Sequence, residues 1–190
     1  QGVGSVGYEL SKLLFDAGAK IIYTDIGTDS IARMKENFPN AEFVPTEQIF
    51  EVPCDIYAPC ALGASVNDKT ITKLKCRIVC GSANNQLAED RHGLELKKRN
   101  ILYAPDYLIN AGGLMNVSIE FEGWSDNKSR RMIDSIYKTA LSIFKVSEEQ
   151  NISCNHAADV LADRRIASIA KIKTSYLGNL QHRFPGRKQR

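Results

Sequence analysis

Three glycines near the start of the chain are spaced for phosphate chemistry. Gly2, Gly4 and Gly7 stand at G-x-G-x-x-G spacing, and residues 8–17 follow as a predicted helix with Gly18 as its stop. In such a turn Gly2 permits a tight bend, Gly4 lets a pyrophosphate approach the backbone, and Gly7 allows close packing of helix on strand. Ser5 and Val6 lie where the free N–H groups of the helix start would hold the phosphates. A glycine triplet alone equally suits an ordinary turn. The second signal is residues 20–25, KIIYTD, an apolar strand closed by an acid 18 positions after Gly7. Asp25 there is placed to accept hydrogen bonds from the hydroxyls of an adenosine ribose, with Ile26 beside it. It could instead cap the next helix, a task open also to Thr28 and Asp29.

Polar and glycine-rich stretches close three later strand candidates: PCALG at 59–63, GSANNQ at 81–86 and APDYLINAGG at 104–113. In doubly wound sheets ligands lie beyond the carboxyl ends of the strands. Asn84, Asn85 and Asn110 offer paired amide donors and acceptors suited to a ribose or a carboxamide. Their other reading is turn chemistry, since asparagine tolerates tight loops.

The elements that must position these residues alternate. The first predicted helix puts Leu10, Leu13, Leu14 and Ala17 on one stripe, and the second carries Ile31, Met34 and Phe38 on one face. Strands are expected at 41–44, 55–60, 77–81 and 101–105, with helices near 68–75 and 88–99. Strand–helix alternation with short links predicts an α/β fold, a doubly wound parallel sheet of Rossmann type. From residue 113 strands give way to helices at 113–124, about 129–150 and about 156–182. Met132, Ile133, Ile136, Ala140, Ile143 and Phe144 form the apolar face of the second. Val160, Leu161, Ile166, Ile169 and Ala170 are carried by the third. The expected division is a cofactor-binding domain over 1–112, a helical segment over 113–182 and a basic tail over 183–190. A Rossmann turn follows a strand, and none precedes Gln1, so the chain is expected to be a piece of a longer protein lacking its central strand.

Composition narrows the classes. A length of 190 residues suits one substantial α/β domain, and a net charge of +3 from 25 basic and 22 acidic residues is too balanced for nucleic acid as main partner. No apolar run approaches the roughly 18 residues that cross a bilayer. Cys54, Cys60, Cys76, Cys80 and Cys154 form no C-x-x-C pair and no zinc-like spacing with His92, His156 or His182, so no metal is expected. Cys54, Cys60 and Cys80 read as small buried hydrophobes. The odd count and the lack of a secretory leader favour a reducing cytoplasm.

The motifs GVGSVG, CDIYAPCALG, GSANNQL, RHG and APDYLINAGGLMNV stand in the order and spacing of a known family. By them the chain, from residue 1 to about 182, resembles the carboxyl-terminal, cofactor-binding portion of amino-acid dehydrogenases of the glutamate, leucine, phenylalanine and valine group, the leucine type most of all. The resemblance implies NAD as cofactor, an L-amino acid as small-molecule substrate and a homo-oligomeric parent. It implies reversible oxidative deamination, with a lysine and an aspartate of an amino-terminal domain as the catalytic groups. Neither of their motifs occurs here, so no catalytic residue is expected in this chain, and Asp106 is not assigned that role. The family's sites carry over as follows. Gly2, Gly4 and Gly7 take the pyrophosphate and Asp25 the adenosine ribose, while Cys60, Ala61 and Leu62 line the groove. Ala83 and Asn84 lie by the nicotinamide ribose and Asn110 by the carboxamide. Leu114 and Val117, one helical turn apart, face the substrate side chain. Leucine-type members have a smaller residue at the position of Leu114, and tryptophan-type members carry Leu. An apolar substrate, leucine or a branched relative, is expected first. An aromatic amino acid or a non-catalytic NAD-sensing role are the alternatives.

Overall fold

The glycine-rich turn runs directly into α1 (Ser5–Asp16), beyond which Gly18 turns the chain at φ +87°. The computed structural model describes residues 1–122 and 126–181, apart from the side chains of 119–122, 128 and 172–181. β1 (Ile22–Tyr23), α2 (Thr28–Asn37) and β2 (Glu42–Phe43) follow, and the two strands pair in parallel with Ile22 opposite Glu42. A single 3-10 turn (Ile49–Glu51) leads to β3 (Ile56–Tyr57), β4 (Ile78–Val79), α3 (Arg91–Lys98) and β5 (Leu102–Tyr103). These strands form a second parallel sheet in the order β3-β4-β5. α4 (Asp106–Ile109), α5 (Gly112–Glu122), α6 (Asp126–Glu149) and α7 (Cys154–Gln181) complete the described chain. The tail 183–190 and the end of the helix expected over 113–124 lie outside the described residues. No helix among the described residues is long and apolar enough to cross a membrane.

The fold is α/β with parallel pairing, but the single sheet expected from the alternation is seen as two. Gln1 and Gly2 span the gap between them. The Gly2 N–H donates to the Thr24 carbonyl (2.8 Å) on one side, and the Gln1 carbonyl accepts from the Cys60 N–H (2.7 Å) on the other.

Several sequence expectations change on contact with the packing. No helix forms over 68–75. Asn67 Oδ1 accepts from the N–H groups of Lys69 and Thr70 (3.0 and 3.2 Å), and Thr70 Oγ1 donates to the Ser65 carbonyl (2.6 Å). These side-chain bonds divert the backbone from a helical ladder into turns, although Ile71 and Leu74 are still buried. α1 buries Gly7 and Ser11; of the expected stripe Leu10 and Leu14 are half-buried, Leu14 against the cluster of Val3, Ile21, Tyr23, Met34 and Phe38, while Leu13 is 67% exposed. Close packing at Gly7 sets the rotation of the helix. α2 buries Met34 and Phe38 as its spacing predicts. Among the cysteines, all free, Cys76 and Cys154 are the buried ones, while Cys54, Cys60 and Cys80 are half-buried at strand ends.

The main core joins Val66, Ile71, Val79, Leu96 and Tyr103 to Ile143 and Val146 of α6 and Ala157 of α7. Only parts of the two long helices reach it. Ile133 on α6 and Ile166 and Ile169 on α7 remain exposed. Twenty-four residues of α6 run about 36 Å at ~1.5 Å per residue, which carries the helix beyond the sheet it covers.

Candidate functional site: the glycine turn and three strand-end loops

The glycine turn has the shape its spacing dictates. Gly2 adopts φ +85°, and a Cβ on it would stand 2.7 Å from Ala61 Cβ and 2.8 Å from the Ala61 nitrogen. A Cβ on Gly7 would run into the Gly2 carbonyl oxygen, so α1 approaches the turn only because neither residue has a side chain. Gly4 differs, since nothing lies within 4 Å of its Cβ position. The turn is therefore open on that side. The first helical bond runs from the Tyr8 N–H to the Gly4 carbonyl (3.0 Å), and Gly4 supplies no side-chain cap. The N–H groups of Ser5, Val6 and Gly7 thus have no intrahelical partner and carry the positive end of the helix dipole.

Asp25 serves the turn and the cap together. Its Oδ2 accepts from the Val3 N–H (2.7 Å) and its Oδ1 from the Gly27 N–H (2.8 Å), fixing the glycine turn to the start of α2. Each carboxylate oxygen keeps a second lone pair for a ligand hydroxyl. Thr28 and Asp29 lie in the first turn of α2, and Gly27 occupies the cap position. Ile26 is 88% exposed beside this acid, and Val6 and Leu62 are exposed as well. Arg33 reaches back from α2, donating to the carbonyls of Val3 (3.0 Å) and Gly4 (3.2 Å) while its guanidinium sits 4.1 Å from the Tyr8 ring centre. Sequence reading missed it, because only the fold returns α2 to the turn.

The strand-end loops meet one another. Cys60 bonds Gln1, Ala61 packs against Gly2, and the buried Ala83 donates its N–H to the Pro59 carbonyl (2.9 Å). Asn110 Nδ2 donates to Asn84 Oδ1, joining the two amides that the sequence singled out. Asn85 adopts φ +51° and is the turn residue of the group. Leu114 and Val117 stand 76% and 47% exposed on α5, shortly after Asn110.

Behind the amides lies a carboxylate whose placement role the sequence did not reveal. Asp106 is buried; its Oδ2 accepts from the Gln86 N–H (2.6 Å) and its Oδ1 from the Tyr107 N–H (2.6 Å). Gln86, fully buried, donates to the carbonyls of Gly81 (2.6 Å) and Ala83 (3.0 Å). The loop carrying Asn84 is thereby clamped to the loop carrying Asn110. The available signal was Pro105-Asp106 at a strand end, an acid in the first turn of a helix.

The RHG motif builds a separate knot. Buried His92 accepts the Glu89 N–H at Nδ1 (3.0 Å), which leaves Nε2 to donate to Asp68 Oδ1 (3.1 Å). Arg91 pairs with Asp68 (2.7 Å) and with Glu89 (2.9 Å). Hydrogen bonds from Arg91 and then His92 hold the Asp68 carboxyl down to about 2. Asp68, Glu89 and His92 bring their ligand atoms within 4.8 Å of one another, but both imidazole nitrogens are engaged and Arg91 already balances the acids.

The glutamate/leucine/phenylalanine/valine dehydrogenase family matches this chain over residues 24–173. The chain belongs to this family. Among relatives in the glutamate/leucine/phenylalanine/valine dehydrogenase family, a leucine dehydrogenase of Thermoactinomyces intermedius is 47% identical, over 93% of this chain and 48% of that protein. A phenylalanine dehydrogenase of the same organism is 42% identical, over 91% of this chain and 48% of its own length. The crystal structure of L-tryptophan dehydrogenase from Nostoc punctiforme superposes with a TM-score of 0.86 at 39% identity, covering 90% of this chain and 52% of that one. The chain thus spans about half the length of the relatives it matches, and it is a leucine dehydrogenase-like member of the family.

Proposed function

We propose that this chain is the cofactor-binding part of an NAD-dependent amino-acid dehydrogenase that deaminates an apolar L-amino acid, leucine and its branched relatives first. The observation that carries the reading is the glycine turn, open at Gly4, with Asp25 bonded to its edge. These residues fit a dinucleotide. The free N–H groups of Ser5, Val6 and Gly7 suit the pyrophosphate, Asp25 the adenosine ribose, and Ile26 and Leu62 the groove walls. Cys60 and Ala61 line the groove, Ala83 and Asn84 border the nicotinamide ribose, and Asn110 meets the carboxamide. Bound NAD supplies the hydride acceptor. The amino acid, NAD and water give the 2-oxo acid, ammonium, NADH and a proton. This chain's part is to bind and orient, with Leu114 and Val117 facing the substrate side chain. By the family resemblance, the proton-moving lysine and aspartate would come from an amino-terminal domain. The exposed Ile133, Tyr137 and Leu141 of α6 are suited to burial in a homo-oligomer, and the free cysteines suit the cytoplasm.

Asp25 favours NAD over NADP, because a 2′-phosphate would face its carboxylate. Two unit charges ~4 Å apart at an effective dielectric near 20 repel by roughly 4 kcal/mol, an upper guide for a half-exposed pair. Arg33 is turned away to the carbonyls of Val3 and Gly4. The test is NADH production by the full-length protein across a panel of amino acids, with Asp25→Ser and Leu114→Ala beside it. Leucine is expected to lead, Asp25→Ser to narrow the NAD/NADP ratio of kcat/KM, and Leu114→Ala to change the amino-acid ranking while leaving the NAD/NADP ratio as it was. Faster turnover of glutamate than leucine, or an unchanged cofactor ratio in Asp25→Ser, would overturn the reading. An aromatic substrate is the second reading, favoured by the likeness to the L-tryptophan dehydrogenase structure.

A further inference from the structure

The loops that carry Asn84 and Asn110 leave the sheet from adjacent strands, β4 and β5, which pair in parallel with Val79 opposite Tyr103. Gln86 anchors the first loop at three points. Its N–H donates to Asp106 Oδ2 (2.6 Å), its carbonyl accepts from the Val66 N–H (3.0 Å), and its Nε2 donates to the carbonyls of Gly81 (2.6 Å) and Ala83 (3.0 Å). Its Oε1 has no partner among the described residues. A fully buried amide with an unpartnered oxygen carries a cost that an apolar side chain of the same size avoids, so burial alone does not account for Gln86.

Asp106 anchors the second loop. Besides the bonds its carboxylate accepts from Gln86 and Tyr107, its carbonyl accepts from the Asn110 N–H (2.8 Å). A circuit of bonds closes here. Asn84 follows Ala83, whose carbonyl Gln86 holds; Gln86 is bonded to Asp106, Asp106 to the Asn110 backbone, and Asn110 Nδ2 donates to Asn84 Oδ1. The last bond fixes which way both amides face. It leaves Asn110 Oδ1 as an acceptor and Asn84 Nδ2 as a donor. That pair is the complement of a primary carboxamide, which offers an N–H on one side and a carbonyl on the other.

We propose that Gln86, together with Asp106, is a positioning residue for carboxamide recognition. From behind the site it sets the orientation of the two asparagine amides, and through them the preference for a nicotinamide carboxamide over a ring substituent that has no N–H. Gln86 is fully buried and acts through the asparagines, not by contact with the cofactor. The inference rests on the NAD reading proposed above.

The experiment uses the full-length protein with NAD, with acetylpyridine adenine dinucleotide, whose acetyl group keeps the carbonyl but has no N–H, and with ADP-ribose, which has no nicotinamide ring. Gln86→Met keeps the length of the side chain and removes its donor, and Asp106→Asn removes one acceptor. Each is expected to lower kcat/KM with NAD by roughly 10- to 100-fold, the scale of a small misplacement at a reacting centre. The loss with the acetyl analogue should be much smaller. The inhibition constant of ADP-ribose, which reads the glycine turn and Asp25, should stay as it is in the parent. If Gln86→Met does not fold, Asp106→Asn is decided by the same ratio of NAD to analogue. An unchanged ratio in the variants, or a loss of ADP-ribose binding equal to the loss with NAD, overturns the proposal while the NAD reading stands. A parent protein that ADP-ribose does not inhibit overturns the NAD reading, and this inference with it.

Discussion

The two sheet halves bury their side chains differently. Around β3, β4 and β5, Val66, Ile71, Val79 and Leu96 are fully buried, and Ile143 of α6 and Ala157 of α7 close over them. Around β1 and β2 a separate cluster holds Val3, Ile21, Tyr23, Met34 and Phe38. It is bounded by edge-on aromatic pairs, Tyr8 with Phe38 and Tyr23 with Phe43, and it opens on a cavity of about 490 Å³ lined by residues 20–23 and 54–58. The glycine turn lies at the seam. Gly2 is bonded to the smaller half through Thr24, and Gln1 to the larger half through Ala58 and Cys60. A site built across two cores is only as rigid as the weaker one, so the smaller half is expected to set the rigidity of the glycine turn.

The comparison breaks most directly at the two fully buried side chains Leu96 and Met34. Each change to Ala costs about 2–5 kcal/mol, through lost burial and the cavity left behind. Leu96→Ala should lower protection throughout the chain. Met34→Ala should release the amides of Ile31 and Phe38 while those of Cys80 and Ala104 stay protected. If both variants release all four amides equally, the halves are one cooperative unit and the seam is no weak point.

The next effect sets two aspartates with the same task against each other. Asp106 and Asp25 each accept two backbone N–H groups, Asp106 from Gln86 and Tyr107, Asp25 from Val3 and Gly27. An asparagine has one acceptor oxygen, so one N–H in each pair loses its partner. At buried Asp106 that costs about 1–3 kcal/mol, whereas at half-buried Asp25 water replaces much of the loss. Asp106→Asn is therefore expected to destabilise more than Asp25→Asn, measured by denaturant midpoints, and to speed exchange of the Ala83 amide. Equal destabilisation would show that burial does not separate the two halves.

What the sequence made legible was local. The bends at Gly2 and Gly18 follow from what a side chain would meet or from φ alone, and α2 buries Met34 and Phe38 because helical spacing puts them on one face. Asn84 and Asn110 stood out as polar groups at strand ends, where the fold then joined them. Asp106 and Arg33 were not legible as props of the site, since Gln86 lies 20 positions from Asp106, and Val3 and Gly4 lie 30 and 29 from Arg33. The missing helix at 68–75 had a local cause in Asn67, but its apolar residues Ile71 and Leu74 are buried in turns as they would be in a helix. Periodicity does not distinguish the two outcomes.

The smallest expected effect lies in the larger half, at the knot of Asp68, Arg91 and His92. Asp68 is held down to about 2 by Arg91 first and His92 second, against an unfolded value near ~4. Its folded pKa is thus depressed. The stabilisation is present above the unfolded value and is lost as pH falls from about 4 through about 2, because the unfolded state binds the proton first. The side chain is exposed, so the effect is small and weakened by salt. Asp68→Asn should lower the thermal midpoint slightly near neutral pH, and the gap to the parent should close as pH falls through that window. Other carboxylates titrate in both proteins and largely cancel in the difference. Raising the salt concentration at neutral pH should narrow the gap as well. A gap that persists unchanged at pH 2 and in high salt would mean that shape, not charge, holds the knot, and that the larger half draws no acid-sensitive stability from it.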